Sequence, residues 1–300
     1  MSGTQRIGNN VVPMLTVAMS VLNGGEYLKL SVQSIIAQTY KDWELLIIDD
    51  GSTDGSVDQF LFHEDPRIIV MRDGKNKGLS ARLNQSVDAA HGRYFARMDH
   101  DDVCHPNRFA EQVAFLDRHQ DVDLVATKCL TINEQDQLVG SLPFASAHEK
   151  ICGRPLLGFP MPHPSWMGRT SWFRRHRYQD PAPYCCEDSE LLLRTYRVSV
   201  FHAIDVPLLA YRVRSHTPWS KLWKTRRALA IVQLAHFLAR KEYASVVTVC
   251  VVTILRLVHD LFYEVLFLLR YGKATFKSSN NNIDWLDAVK VSSERMNKTQ

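Results

Sequence analysis

The chain has 300 residues, enough for one large domain with an appendage, and 45% of them are hydrophobic, so a sizeable core can form. A formal net charge of +4 is too mild to call for nucleic acid as a partner, and the six cysteines (104, 129, 152, 185, 186, 250) lack any Cys-x-x-Cys spacing, which reads as reduced thiols in a cytosolic protein. Acidic residues concentrate in the first half, Arg and Lys gather after residue 169, and the polar residues 1–10 hold no apolar stretch of the secretory-signal kind.

Residues 14–21 (MLTVAMSV) are a short apolar run closed by Leu22-Asn23-Gly24-Gly25, a strand followed by a loop. Residues 26–39 carry Leu28, Val32, Ile35 and Ile36 at helical spacing. Residues 43–48 read as a buried strand ending in Asp49-Asp50-Gly51-Ser52-Thr53-Asp54, where Ser52 or Thr53 can cap a helix over 55–62. A further strand at 67–71 and a helix over 79–90, stopped by Gly92, follow. Strand and helix in alternation predict a parallel, doubly wound α/β sheet, whose ligands bind at the carboxyl ends of the strands. There is no Gly-x-Gly-x-x-Gly after the first strand and no Gly-Lys-Ser/Thr loop, so phosphate has to be handled by metal and side chains.

The stretch Arg93-Tyr94-Phe95-Ala96-Arg97-Met98-Asp99-His100-Asp101-Asp102 ends an apolar strand in three carboxylates. Carboxylates this close repel unless a cation lies between them, and Mg²⁺ or Mn²⁺ would keep coordination positions open for phosphate oxygens. A solvated acidic turn is the plain alternative for an isolated Asp-x-Asp.

Val17-Ala18-Met19-Ser20, Ser34-Ile35-Ile36-Ala37-Gln38-Thr39-Tyr40, the run from Trp43 to Asp54, Asn76-Lys77-Gly78-Leu79-Ser80-Ala81-Arg82-Leu83-Asn84 and Met98-Asp99-His100-Asp101-Asp102 stand in an order that resembles family 2 glycosyltransferases of the GT-A fold. The likeness runs over residues 13–215. It implies a nucleotide-diphosphate sugar donor, with Ser20 and Asp50 at the base and Arg82 and Asn84 lining the nucleotide pocket. It also implies Asp99 at ribose or metal and Asp101 on the metal itself, Mn²⁺ or Mg²⁺.

After His105-Pro106 an amphipathic helix reaches Arg118, residues 123–127 read as a strand, and 135–148 as a loop. The segment Phe159-Pro160-Met161-Pro162-His163-Pro164 is stiffened by prolines and resembles the family's His-Pro step beside the acceptor, with His163 able to touch substrate or simply to bond backbone. Cys185-Cys186-Glu187-Asp188 opens a helix, where acids also suit the first turn. The resemblance makes this pair the family's Glu-Asp motif, with Asp188 the general base of an inverting transfer and Glu187 its orienting partner. Tyr211-Arg212-Val213-Arg214-Ser215-His216 resembles the segment near the diphosphate, where Arg212 and His216 could neutralise charge; a solvated basic strand end is the alternative.

The expected layout is a GT-A-like doubly wound, mostly parallel sheet over residues 1–217, a helical extension over 218–272 and a flexible tail over 273–300. In the extension, residues 244–255 are almost wholly apolar but too short for a membrane span before Arg256, His259, Asp260 and Glu264 interrupt them. The helix has two readings, packing on the catalytic domain or a sister subunit in a homo-oligomer, or lying in the membrane interface behind a basic, Trp-containing entry. The reading adopted is a metal-dependent inverting glycosyltransferase, cytoplasmic or peripheral on the inner face of the cytoplasmic membrane. It would use a UDP-sugar and a saccharide or lipid-linked acceptor in surface-polysaccharide, lipopolysaccharide or capsule synthesis. A sugar-nucleotide nucleotidyltransferase and a non-catalytic membrane-assembly scaffold are the alternatives; the first would need a better glycine-rich loop than residues 22–25.

Overall fold

The computed structural model describes residues 6–7, 10–58, 65–214, 217–269 and 283–289. Two short strands, β1 (Arg6–Ile7) and β2 (Asn10–Val11), pair with each other apart from the main sheet. The strands β3 (Leu15–Val21) and β4 (Trp43–Asp49) are apolar along nearly their whole length and almost entirely buried, as expected of inner parallel strands covered on both faces. The sheet also holds β5 (Ile68–Arg72), β6 (Tyr94–Asp99), β7 (Val103–Cys104), β8 (Leu124–Ile132), β9 (Leu138–Ser141), β10 (Met167–Arg169) and β11 (Phe201–Arg212). Its order is β5-β4-β3-β6-β10-β8-β11-β7, with β9 hydrogen-bonded to β8. β3 is parallel to β4 and to β6, and β11 is parallel to β8, while β10 runs antiparallel between β6 and β8.

The mixed α/β architecture is the one expected; of the helix read over 55–62, residues 55–58 form bends and turns and 59–62 lie outside the described residues, and two further differences stand out. β10 follows the proline-rich stretch and is only three residues long, too short to carry a period-2 signal of its own. β9 forms inside the stretch read as loop, because β8 continues to Ile132 and offers it an edge.

Gly92 starts β6 where no side chain fits. A Cβ there would sit 2.4 Å from the Thr16 nitrogen and 2.8 Å from the Tyr94 carbonyl oxygen. The helices α1 (Tyr27–Ile36) and α3 (Arg108–Arg118) carry core residues of one large cluster, and α2 (Leu79–Ala89), α5 (Thr170–Arg175) and α6 (Glu187–Thr195) those of a second. The short α4 (His148–Cys152) adds Ile151 to that second cluster.

The extension is a hairpin of α7 (Trp219–Ala239) and α8 (Tyr243–Leu269). It joins the α/β domain where Phe237 and Val249 bury against Leu193 of α6, and Arg226 of α7 grips Asp260 of α8 at 2.8 Å. Over Tyr243–Leu266 α8 is long and apolar enough to cross a membrane by length and composition, and 11% of that stretch is buried. The helix outruns the apolar stretch seen in sequence because its polar stripe is answered: Asp260 by Arg226, and Arg256 by the Leu157 carbonyl at 2.7 Å. Within the expected tail, residues 284–289 are helical, and Ile283, Leu286 and Val289 bury against Val103, Ile132 and Ala210.

Candidate active site

Because β3, β4 and β6 are parallel, their carboxyl ends meet on one edge. Ser20 pairs in register with both Ile48 and Asp99, and the Asp50 N–H donates to the Val21 carbonyl at 2.8 Å. Ser20, Asp50 and Asp99 therefore gather at one edge, as the sequence leads one to expect. The turn after β4 is shaped by Asp49, whose carboxylate accepts the Ser52 N–H at 2.8 Å, and by Gly51. With φ at +83° and a Cβ position 3.2 Å from the Asn76 nitrogen, Gly51 lets this turn lie against the 75–78 loop.

Asp50 is buried and accepts N–H bonds from Lys77 (2.7 Å), Gly78 (3.0 Å) and Arg82 Nε (2.8 Å). Arg82 is wholly buried rather than facing solvent, and its fork also donates to Asp73 at 2.7 Å and Gln85 at 2.8 Å. It braces Asp50 from behind. Asn84, expected at the nucleotide pocket, instead clamps the backbone of Tyr178: its side chain donates to the Tyr178 carbonyl at 2.9 Å and accepts the Tyr178 N–H at 3.0 Å. It faces the loop after α5 because α2 packs against α5, a tertiary fact with no trace in local spacing.

At the tip of β6, Asp99 accepts a hydrogen bond from Arg97, which is buried and keeps Nε and Nη1 without partners. Burial works against the Arg97 charge, but Asp99, Tyr178, Glu187 and Asp102 around it more than hold its proton. Burial and then the Asp99 charge push the Asp101 carboxyl up, and burial with Asp99 and Asp101 pushes the fully buried Asp102 up further. Asp102 accepts the Arg212 N–H at 2.9 Å through one oxygen and leaves the other unpartnered. Crowded, under-neutralised carboxylates at a cavity mouth are a donor set that fits a hard dication completed by phosphate oxygens. Among the described residues, no group of three or more His, Cys, Asp or Glu closes a metal site by itself.

Arg212 is less free than its strand-end position suggests. Its guanidinium donates to the carbonyls of Asp101 and Asn133, each at 2.9 Å, pairs with Asp136 at 2.6 Å and stacks 4.2 Å over Tyr27. It holds the 101–102 turn in place, a role invisible without the neighbouring strand. His216 lies outside the described residues.

The Glu-Asp pair opens α6. A cavity of about 670 Å3 is lined by Arg97, Asp99, His163, Glu187 and Asp188, bringing together motifs 88 residues or more apart at its ends. His163 is buried, with Nε2 2.9 Å from the Tyr178 hydroxyl and Nδ1 3.8 Å from Glu187. Burial, and then Arg97, depress its pKa well below the ordinary value, so it is neutral near pH 7. Burial and then Asp188 push Glu187 up to about 7, while burial also raises Asp188, whose Oδ1 accepts the Ser189 N–H at 2.6 Å. A second lobe of about 550 Å3 holds Asp101, His100, Tyr27 and Arg214, and Tyr211 and Lys221 line both lobes. The sequence reading assigned no role to Arg97, Tyr178 or Lys221. Arg97 had a signal, a charge inside a buried strand, which demands acidic company.

Residues 16–176 match the Glycosyl transferase family 2 profile. The chain is 36% identical over 214 residues to EpsE of Bacillus subtilis, named as a glycosyltransferase, covering 68% of this chain and 74% of that one. It is 26% identical over 246 residues to the uncharacterized glycosyltransferase MJ1057 of Methanocaldococcus jannaschii, covering 80% and 84%. S. aureus TarS 1–349, solved in complex with UDP, superposes with a TM-score of 0.56 at 18% identity, over 73% of this chain and 65% of that chain, just under two thirds of its length. The same protein solved with UDP-GlcNAc gives 0.58 at 17% identity, over 73% and 66%. With a strand-end carboxylate and a Glu-Asp pair in the first turn of α6 lining one cavity on this fold, the chain belongs to glycosyl transferase family 2.

Proposed function

We propose that the protein is a metal-dependent, inverting glycosyltransferase that moves a sugar from a UDP-sugar to a hydroxyl of a saccharide or lipid-linked saccharide in surface-polysaccharide synthesis. The observation that carries this reading is the shared cavity, lined by Asp99, Glu187 and Asp188 together. Ser20 and Asp50 would take the base, and Asp99 the ribose or metal. Asp188 accepts the acceptor hydroxyl proton as that oxygen attacks the anomeric carbon, and the bond from that carbon to the donor diphosphate breaks, releasing UDP. Glu187 and the neutral His163 orient the acceptor. Mn²⁺ or Mg²⁺ held by Asp99 and Asp101 would neutralise charge on the departing diphosphate. The complexes of S. aureus TarS with UDP and UDP-GlcNAc support a uridine donor. The exposed apolar side of α8 supports peripheral attachment to the cytoplasmic membrane.

The test is a pair of variants read separately for binding and turnover. Asp101→Asn is expected to abolish the metal-dependent part of UDP binding in calorimetry; unchanged affinity refutes the metal assignment. Asp188→Asn is expected to keep UDP affinity within about twofold while transfer falls at least ~100-fold, the usual worth of a general base. Near-normal transfer would place the base elsewhere.

A further inference from the structure

Arg97 stands two residues before Asp99 on β6, so both side chains leave the strand on one face, and both line the reaction cavity. Arg97 is a buried charge, 5% exposed, whose donors are only partly used. Nη2 donates to Asp99, while Nε and Nη1 have no hydrogen-bond partner. Unbonded donors on a buried cation are costly, so they call for a partner supplied in another state of the site. Glu187 lines the same cavity and is the complementary case. Among the described residues no side chain donates a hydrogen bond to its carboxylate. Its recorded ion-pair contact, His163 Nδ1, lies 3.8 Å away on a ring that is neutral near pH 7. The two groups already act on each other: burial and the Asp188 charge raise the Glu187 carboxyl to about 7, and the Arg97 charge works against them.

A ligand at Asp99 changes this balance. A ribose hydroxyl or a dication there competes for the carboxylate that Arg97 holds, and a dication also repels the guanidinium. From this geometry we infer that Arg97 is a positioning residue, which passes its hydrogen bonds from Asp99 to Glu187 when the donor fills the Asp99 site. The Glu187–Asp188 pair is then fixed in place only in the donor-loaded chain. Five N–H donors let one arginine exchange carboxylates without leaving its charge unpaired. The inference rests on the glycosyltransfer reading above and deepens it: the donor binds first, and its arrival completes the acceptor side of the cavity.

The experiment uses the full chain with UDP and Mg²⁺ as the probe. Glu187→Gln alters no group assigned to UDP, yet it should weaken UDP affinity at least about fivefold in calorimetry, because the Arg97–Glu187 pair exists only in the loaded state. In an Arg97→Met background the same change should alter UDP affinity less than about twofold. A merely structural role for Arg97 would make the two losses add. Equal losses in both backgrounds, or none in Glu187→Gln alone, overturn the inference. Arg97→Met removes a buried charge and can unfold the chain, so a second measurement uses only the wild type and Glu187→Gln. In chains carrying isotope-labelled arginine, the Arg97 Nε–H resonance is assigned by its loss in Arg97→Lys. It should move on adding UDP with Mg²⁺ in the wild type and stay in place in Glu187→Gln. The same movement in both chains overturns the inference, since the ligand alone would then cause it. Failure of the underlying reading shows differently: the wild-type chain would bind no UDP.

Discussion

Glu187 illustrates how burial sets chemistry at single residues. Its carboxyl titrates near 7 in the folded chain, against 4.5 ordinarily. A raised carboxyl favours the folded state below the ordinary value, and that advantage is lost as pH rises from 4.5 to 7. Glu187→Gln should therefore stabilise the protein at pH 8 by about 1–3 kcal/mol and leave it unchanged at pH 4, read by denaturant melts at both values. A gap that does not grow with pH would show that Glu187 is ionised throughout. Arg82 is the opposite case, a charge already satisfied on every side. Arg82→Met leaves Asp50 buried and short of its partner, which should cost about 3 kcal/mol and loosen the turn after β4. A loss under about 1 kcal/mol in urea unfolding would mean water reaches Asp50.

Among the elements, β6 matters most, since it carries Arg97 and Asp99 into the cavity. Its entry depends on Gly92, where any Cβ meets the backbone of Leu15 and Thr16. Gly92→Ala should cost more than 1 kcal/mol and lower UDP affinity, because relieving the clash pushes β6 away from β3 and shifts Asp99. Chemical denaturation with a UDP titration on the same sample checks both; a stable variant with normal affinity would mean the strands yield without moving the tip. The α6 N-terminus is positioned differently: its acids suit a first turn on their own, but they become a site because α6 packs on the face that β6 points toward.

For the whole molecule, the question is how the hairpin serves the catalytic domain. α7 contributes Lys221 and Thr225 to the reaction cavity wall, so the extension is part of the site's enclosure. α8 leaves an apolar side unburied. Val251→Glu with Val258→Glu and Phe262→Glu alters that side alone, and should abolish co-sedimentation with anionic vesicles while leaving the melting temperature within about 2 °C. Retained vesicle binding would rule this face out as the membrane contact, and a shift from dimer to monomer in size-exclusion chromatography would assign it to a sister subunit.

Much of the molecule is legible in the chain itself. The alternation of apolar runs with helical periodicity specified the order of β3, α1, β4, β5, α2 and β6, because strands buried on both faces must be apolar throughout. The carboxylates at 99, 101, 187 and 188 were visible as local clusters. What local pattern does not carry is who faces whom. Strand β10 enters the sheet only because β6 and β8 leave a gap, Asn84 braces Tyr178 and Arg212 the 101–102 turn, and residues 283–289 dock on β7 and β11. Residue types and spacing set local conformation and the chemistry available, whereas burial, charge neutralisation and the meeting of distant motifs arise only when the sheet brings them within a few ångströms.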